Sequence, residues 1–218
     1  MPQTALHVAV SDLASNRMAL VARGRRLEYL TIAWNTFEAA VALVSGIMSG
    51  SVALVGFGLD SVIETASAVV LLRRLHADHD PARREAAERT ARRLVGVCFL
   101  LLAAYVAIES IRALWTRAQP ERSLPGILIA IAAILVMPLL GRAKRRVAAQ
   151  LNSRAMHSDS RQADFCAYLS AILLTGLLLH SVLGWWWADP VAALLMVPII
   201  AREGVQGLRG DSCGCPGR

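Results

Sequence analysis

The sequence predicts an all-α integral membrane protein with six transmembrane helices and both termini in the cytoplasm. Of its 218 residues, 56% are hydrophobic, and the mean hydropathy is +0.49. Only 18% are charged, against about a quarter in typical soluble domains. These charges gather in blocks between long apolar segments, the pattern expected of helices that each need about 20 apolar residues to cross a bilayer.

Six apolar segments are long enough to span a membrane. The first two are separated only by residues 49–51, which predicts a tight antiparallel hairpin, and the fourth contains no charged residue. Three consecutive tryptophans open the last segment, where aromatic rings favour the membrane interface. The predicted spans are residues 28–49, 52–72, 94–115, 124–141, 160–183 and 185–201.

The basic residues predict the orientation. The segments 73–93 and 142–161 and both ends of the chain are rich in arginine, whereas the alternate loops carry only Arg117 and Arg122. Because basic loops are retained in the cytoplasm, both termini should be cytoplasmic. We therefore predict three regions. They are a cytoplasmic N-terminal segment (1–25), a transmembrane domain (26–203) and a short cytoplasmic tail (204–218).

Composition also excludes several classes of protein. The net charge of +7 does not indicate a nucleic-acid partner, because the basic residues flank apolar spans and do not line one soluble face. Residues 1–24 lack the apolar core of a signal peptide, and the chain contains no HExxH-like or nucleophile–base motif of an enzyme. The many arginines and alanines suggest a GC-rich bacterial genome, and therefore the cell inner membrane.

Two acidic residues lie within the second span. Asp60 and Glu64 are four residues apart, so both carboxylates should lie on one helix face. Ionisable groups inside a membrane are costly and usually functional. No basic residue in that span can neutralise the two charges, which makes a divalent cation their natural partner. The alternative is a pair of protonated acids hydrogen-bonded between helices.

The fifth span offers further ligands. Gln162 and Cys166 are also four residues apart, and Asp159 lies one turn earlier on the same face. Thiolates and oxygen donors both bind transition metals, although a polar residue near a cysteine on a membrane helix often serves only helix packing. Together, Asp60, Glu64, Gln162 and Cys166 can enclose one tetrahedral ion.

Other polar residues are weaker candidates. Asn35 and Glu38 in the first span are possible accessory groups for metal entry or proton relay, with a structural hydrogen bond as the alternative. Glu109 and Arg112 should form an ion pair, and Asp164 should pair with Arg161 or Arg145. A loop cluster could capture metal weakly, although a solvated loop is the simpler interpretation; it comprises His76, Asp78, His79 and Asp80. Cys213 and Cys215 in the tail could bind a soft metal, although a C-x-C motif alone is a weak signal.

These residues resemble the cation diffusion facilitator family of metal/proton antiporters. Residues 56–64 read GFGLDSVIE and residues 158–166 read SDSRQADFC, which are similar to the family's motifs on helices 2 and 5. The sequences WADP (187–190) and REG (202–204) resemble the entry and exit of its helix 6. The resemblance implies six membrane helices, cytoplasmic termini, a homodimer, and a metal site formed by Asp60, Glu64, Gln162 and Cys166.

The chain also departs from the family's pattern. Gln162 and Cys166 stand where the family usually has His and Asp, so the family's metal selectivity does not carry over. Zinc is expected as the transported ion, with Cd²⁺, Co²⁺, Fe²⁺ and Mn²⁺ as alternatives. The family's cytoplasmic domain after helix 6 is expected to be missing. The sequence therefore predicts a secondary transporter that exports a divalent metal in exchange for protons, without a bound cofactor. The alternative is a membrane metal sensor that does not transport.

Overall fold

The computed structural model describes residues 2–76, 81–151 and 154–209, and every regular element in these ranges is an α-helix. This confirms the predicted all-α class, while the cytoplasmic location of both termini stays a prediction. The helices are α1 (Pro2–Ser49), α2 (Val52–His76), α3 (Pro81–Thr116), α4 (Leu124–Leu151), α5 (Arg154–Leu183) and α6 (Ala188–Arg209). Each contains a stretch that is long and apolar enough to cross a bilayer.

The helix ends at the short loops follow from local chemistry. Gly50 and Gly184 adopt φ values of 69° and 70°, a conformation that glycine tolerates best and that commonly terminates a helix. The sixth span was predicted to begin at residue 185, whereas α6 begins at Ala188. The preceding tryptophans form a turn in which Trp185 and Trp187 stack with ring centroids 4.9 Å apart. Pro190 in the first turn of α6 suits a helix start, because that position needs no N–H donor.

The helices extend beyond the predicted spans at one end of the bundle. The six helices alternate in direction along the bundle, so α1 begins and α6 terminates on the same side. We call this side the basic end. The opposite end carries the short loops 50–51, 117–123 and 184–187. The arginines at the basic end include Arg23, Arg25, Arg26, Arg93, Arg142, Arg145, Arg146, Arg161, Arg202 and Arg209.

Four helices form a closed ring. α1 packs on α2, α2 on α5, α5 on α4, and α4 on α1. Helices α3 and α6 pack closely against each other and lie beside the ring, with contacts from both to α2 and from α6 to α5. The α3–α6 contact needs small residues, since a Cβ atom on Gly96 would lie 2.8 Å from the carbonyl oxygen of Gly204. Such close backbone approach is common between membrane helices.

The outer surface of the bundle is apolar and the interior contains polar residues. Large hydrophobic side chains such as Phe37, Ile108, Leu135 and Val182 are exposed on different helices. Lipid chains can cover such a surface, whereas water could not do so favourably. By contrast, α1 buries a polar stripe that faces the ring interior, and this stripe comprises Glu28, Thr31, Asn35, Glu38, Ser45 and Ser49.

Asp189 joins the start of α6 to the start of α2. Its buried carboxylate accepts hydrogen bonds from the Ser51 hydroxyl and from the backbone N–H of Val52, at 2.9 Å. The N–H of Ala53 also points to it, at 3.5 Å. These groups have no partner within α2 because they belong to its first turn. Asp189 therefore caps α2 from a neighbouring helix and fixes its position at the opposite end.

Candidate metal centre

Three buried side chains from α2 and α5 converge inside the ring. One ligand atom from each of Asp60, Glu64 and Cys166 lies within 4.8 Å of the other two. Their relative exposures are 3%, 5% and 0%, so bulk water does not solvate them. We call these three residues the metal cluster. Two carboxylates and a thiol in an apolar bundle are costly to bury without a compensating charge.

The helical spacing explains why these groups meet. Asp60 and Glu64 lie one turn apart on the face of α2 that packs on α5, and Cys166 lies on the α5 face that packs on α2. Gln162 is one turn before Cys166 and half-buried. Its side-chain nitrogen Nε2 is buried and has no hydrogen-bond partner among the described residues. This nitrogen is a hydrogen-bond donor and does not bind cations, so Gln162 can join a ligand set only through its side-chain oxygen.

Asn35 and Glu38 surround the metal cluster from α1. The Asn35 amide donates to Glu64 Oε2 over 2.9 Å, and the Ser61 hydroxyl donates to Glu38 Oε2 over 3.2 Å. Both Asn35 and Glu38 are buried. Two oxygens beside these bonds, Asn35 Oδ1 and Glu38 Oε1, have no hydrogen-bond partner within the described part of the chain. The two residues thus orient groups on α2 and retain free acceptor atoms beside the cluster.

Asp159 lies away from the three clustered ligands. Its carboxylate pairs with the ammonium of Lys144 on α4, and the same ammonium lies 3.1 Å from Glu28 Oε2 on α1. Sequence reasoning missed Glu28 and counted Lys144 only among the basic residues that set orientation. Helical periodicity could have indicated Glu28, which precedes Asn35 by two helical turns. For Lys144 the available signal was composition, because it is the only lysine in the chain.

Other predicted pairs occupy the surface. Arg112 lies 3.5 Å from Glu109 on the same helix, as predicted. Of the two partners considered for Asp164, Arg145 forms the ion pair, at 2.5 Å. Two further candidates for metal binding cannot be placed in the fold, because the described residues exclude Asp78, His79 and Asp80 of the loop cluster and both Cys213 and Cys215 of the tail.

The donor set suits a borderline transition metal. Carboxylate and thiolate ligands both bind zinc, at about 2.0–2.3 Å, so tetrahedral ligands lie roughly 3.5 Å apart. The clustered atoms, all within 4.8 Å of one another, need to move inward by only about 1 Å to reach that geometry. Three donors leave a fourth position of a tetrahedral ion for another group, and Gln162 is the nearest candidate along α5.

A ring of membrane helices around two carboxylates and a thiol defines the class, which is a multi-pass membrane protein with a candidate cation site in its core. The chain belongs to the cation efflux family, since the model of the cation efflux transmembrane domain matches residues 29–209. This confirms the resemblance seen in the sequence motifs. The family consists of membrane transporters and not of enzymes.

Two curated relatives show moderate similarity. The cation-efflux pump FieF of Shewanella oneidensis is 27% identical over 174 residues, which cover 75% of this chain and 57% of the relative. The uncharacterized transporter sll1263 of Synechocystis sp. is 28% identical over 153 residues, which cover 67% of this chain and 49% of the relative. The chain therefore spans about half the length of the curated relatives it matches.

Proposed function

We propose that this protein exports a divalent transition-metal ion, with zinc as the first candidate, and that the ion binds between α2 and α5. The supporting observation is the convergence of Asp60, Glu64 and Cys166 within 4.8 Å in the core of the bundle. Intramembrane ionisable groups commonly mark ion pathways. The family match and the printed name of the FieF relative support a role in cation efflux.

The proposed mechanism is alternating access with proton exchange. The basic end faces the cytoplasm, as the arginine distribution predicts, and the ion enters the cluster from that side. Because metal ligands must be deprotonated, metal binding displaces protons from the carboxylates and the thiol. When the site opens to the other side, reprotonation releases the metal. The protein then works as a metal/proton antiporter in the inner membrane, as a homodimer.

Cys166 gives the site a softer character than an all-oxygen set. Thiolate ligands favour zinc and softer ions over manganese and magnesium, which prefer oxygen donors. We therefore expect Zn²⁺ and Cd²⁺ to bind more tightly than Mn²⁺. Gln162 would supply a neutral oxygen as the fourth ligand. It would add no negative charge to a cluster whose three anions already exceed the two positive charges of the ion.

The test is metal flux into proteoliposomes that contain an encapsulated metal-sensitive dye. Zinc, cadmium, cobalt, iron and manganese are compared with and without a proton gradient. Wild type is compared with Asp60→Ala and Cys166→Ala, and Cys98→Ser serves as the control because this half-buried cysteine lies on α3. We expect proton-driven flux that the first two substitutions abolish and the control retains.

Three other outcomes would contradict all or part of this proposal. Metal binding without flux in the wild type would support a membrane metal sensor. Flux that persists in both Asp60→Ala and Cys166→Ala would show that the transported ion uses another site. Flux that is indifferent to the proton gradient would remove the antiport mechanism while leaving the site in place.

A further inference from the structure

A buried ion triad lies within the ring, separate from the metal cluster. The Lys144 ammonium contacts Glu28 Oε2 at 3.1 Å and also donates to the Asp159 carboxylate. Lys144 is 1% exposed and Glu28 is 0% exposed. The remaining oxygen of Glu28, Oε1, is buried and has no hydrogen-bond partner among the described residues. We call these three residues the triad.

The triad lies between the metal cluster and the basic end. Glu28 precedes Asn35 by seven residues on α1, and Asp159 precedes Cys166 by seven residues on α5. At 1.5 Å per residue, each spacing corresponds to about 10 Å along the helix axis. Both steps lead toward the basic end, where α1 and α5 begin. The triad joins three of the four ring helices, with Lys144 and Glu28 buried and the Asp159 side chain only 11% exposed.

The residue type in the triad is unusual for this chain. Of the 23 lysines and arginines, Lys144 is the only lysine and the rest are arginines. An ammonium is a compact point charge on a flexible stem, while a guanidinium is a rigid planar fork that holds carboxylates in fixed geometry. A lysine ammonium can therefore neutralise two carboxylates in one state and withdraw from them in another.

An ion moving from the basic end to the metal cluster must pass this level of the ring. The carboxylates of Glu28 and Asp159 would attract a divalent cation, but Lys144 already occupies the space between them. Resting on the proposed transport function, we propose that Lys144 is a gating residue. Its tethered ammonium closes the ring on the side of the basic end, and metal reaches Asp60, Glu64 and Cys166 from that end only after the ammonium leaves the two carboxylates.

The test measures access to Cys166 and needs neither metal nor flux. Cys98, Cys213 and Cys215 are replaced by serine, so that Cys166 is the only thiol of the full chain. A small membrane-impermeant methanethiosulfonate reagent is then added to oriented vesicles, first on the side of the basic end and then on the other side. We expect Lys144→Ala to increase the labelling rate from the basic end at least tenfold and to leave the rate from the opposite end unchanged.

Two further variants separate gating from general loosening. Arg145→Ala is the matched control, because Arg145 also joins α4 to α5 through Asp164 but is partly exposed; it should label like the wild type. The combined variant Lys144→Ala, Glu28→Gln and Asp159→Asn leaves no buried charge unpaired. It should show the same increase in labelling rate from the basic end alone. It replaces Lys144→Ala in the test if that variant does not fold.

Unchanged labelling of both Lys144 variants from the basic end would overturn the gate, and so would an equal increase from both ends. The result is independent of the transport test. A one-sided increase in a protein that shows no metal flux would support the gate while rejecting transport. Normal flux with unchanged labelling would reject the gate alone.

Discussion

Asn35 on α1 donates a hydrogen bond to Glu64 on α2, with 2.9 Å between Nδ2 and Oε2. This contact makes a third helix part of the candidate metal centre. It uses one lone pair of the carboxylate and orients the other oxygen of Glu64. Groups that orient metal ligands in this way contribute to affinity although they do not touch the ion.

Asn35→Ala should therefore weaken metal binding. Loss of such an orienting partner typically costs about 10–100-fold in metal affinity, and we expect zinc binding to weaken by that factor. Isothermal titration of the purified protein in detergent measures the change. Thr36→Ala is the control, because Thr36 is exposed and its hydroxyl bonds only to the Ile32 carbonyl of its own helix. Equal affinities for the two variants would show that Asn35 does not orient Glu64 in the metal-bound state.

Cys166→Asp should change metal preference more than overall stability. The substitution replaces a soft thiolate by a carboxylate of similar size. Cadmium affinity should fall at least tenfold relative to manganese, since cadmium prefers sulfur and manganese prefers oxygen. Competition titration of both ions against one dye measures the ratio. If the ratio is unchanged, Cys166 does not coordinate the ion.

Lys144→Met should destabilise the protein, because it leaves the buried carboxylates of Glu28 and Asp159 without their cation. Breaking a buried ion pair from one side typically costs about 3–5 kcal/mol. Adding Glu28→Gln and Asp159→Asn should restore most of the loss, since the remaining amides carry no charge. Thermal unfolding in detergent, followed by size-exclusion fluorescence, gives the order of stability. A combined variant no more stable than Lys144→Met would show that the triad charges do not control folding.

The sequence was sufficient to predict the fold class because long apolar segments and arginine blocks have a direct physical meaning in a membrane. It also predicted the helix faces of the site, since Asp60 and Glu64 are separated by about one helical turn. The same reasoning placed Cys166 on the inner face of α5. In each case the signal was local, within a single helix.

Contacts between distant helices could not be predicted in the same way. Asp159 shares a helix face with Gln162 and Cys166, and for that reason it was a candidate ligand. Its actual partner, Lys144, comes from another helix and lies in a basic block in which Arg142, Arg146 and Arg161 are exposed. Nothing in helical periodicity distinguishes the one buried cation from its neighbours, so the triad becomes visible only when α1, α4 and α5 are brought together.

Asp189 caps the start of α2, and loss of this cap should destabilise the protein. Asp189→Ala removes the acceptor for Ser51 and Val52, and loss of a capping side chain costs about 0.5–2 kcal/mol. For a chain of this length, each kcal/mol corresponds to about 2–4 °C in Tm, so we expect a decrease of roughly 1–8 °C.

Asp189→Asn keeps one side-chain oxygen as an acceptor and should lose less. Because α2 carries Asp60 and Glu64, the alanine variant should also transport more slowly than the asparagine variant. Thermal unfolding and proteoliposome flux, measured on both variants beside Asp164→Ala as a half-exposed carboxylate control, test this order. If the asparagine variant is as unstable as the alanine variant, the negative charge of Asp189 matters more than its hydrogen bonds. If neither differs from Asp164→Ala, the contact between α6 and the start of α2 does not stabilise the bundle.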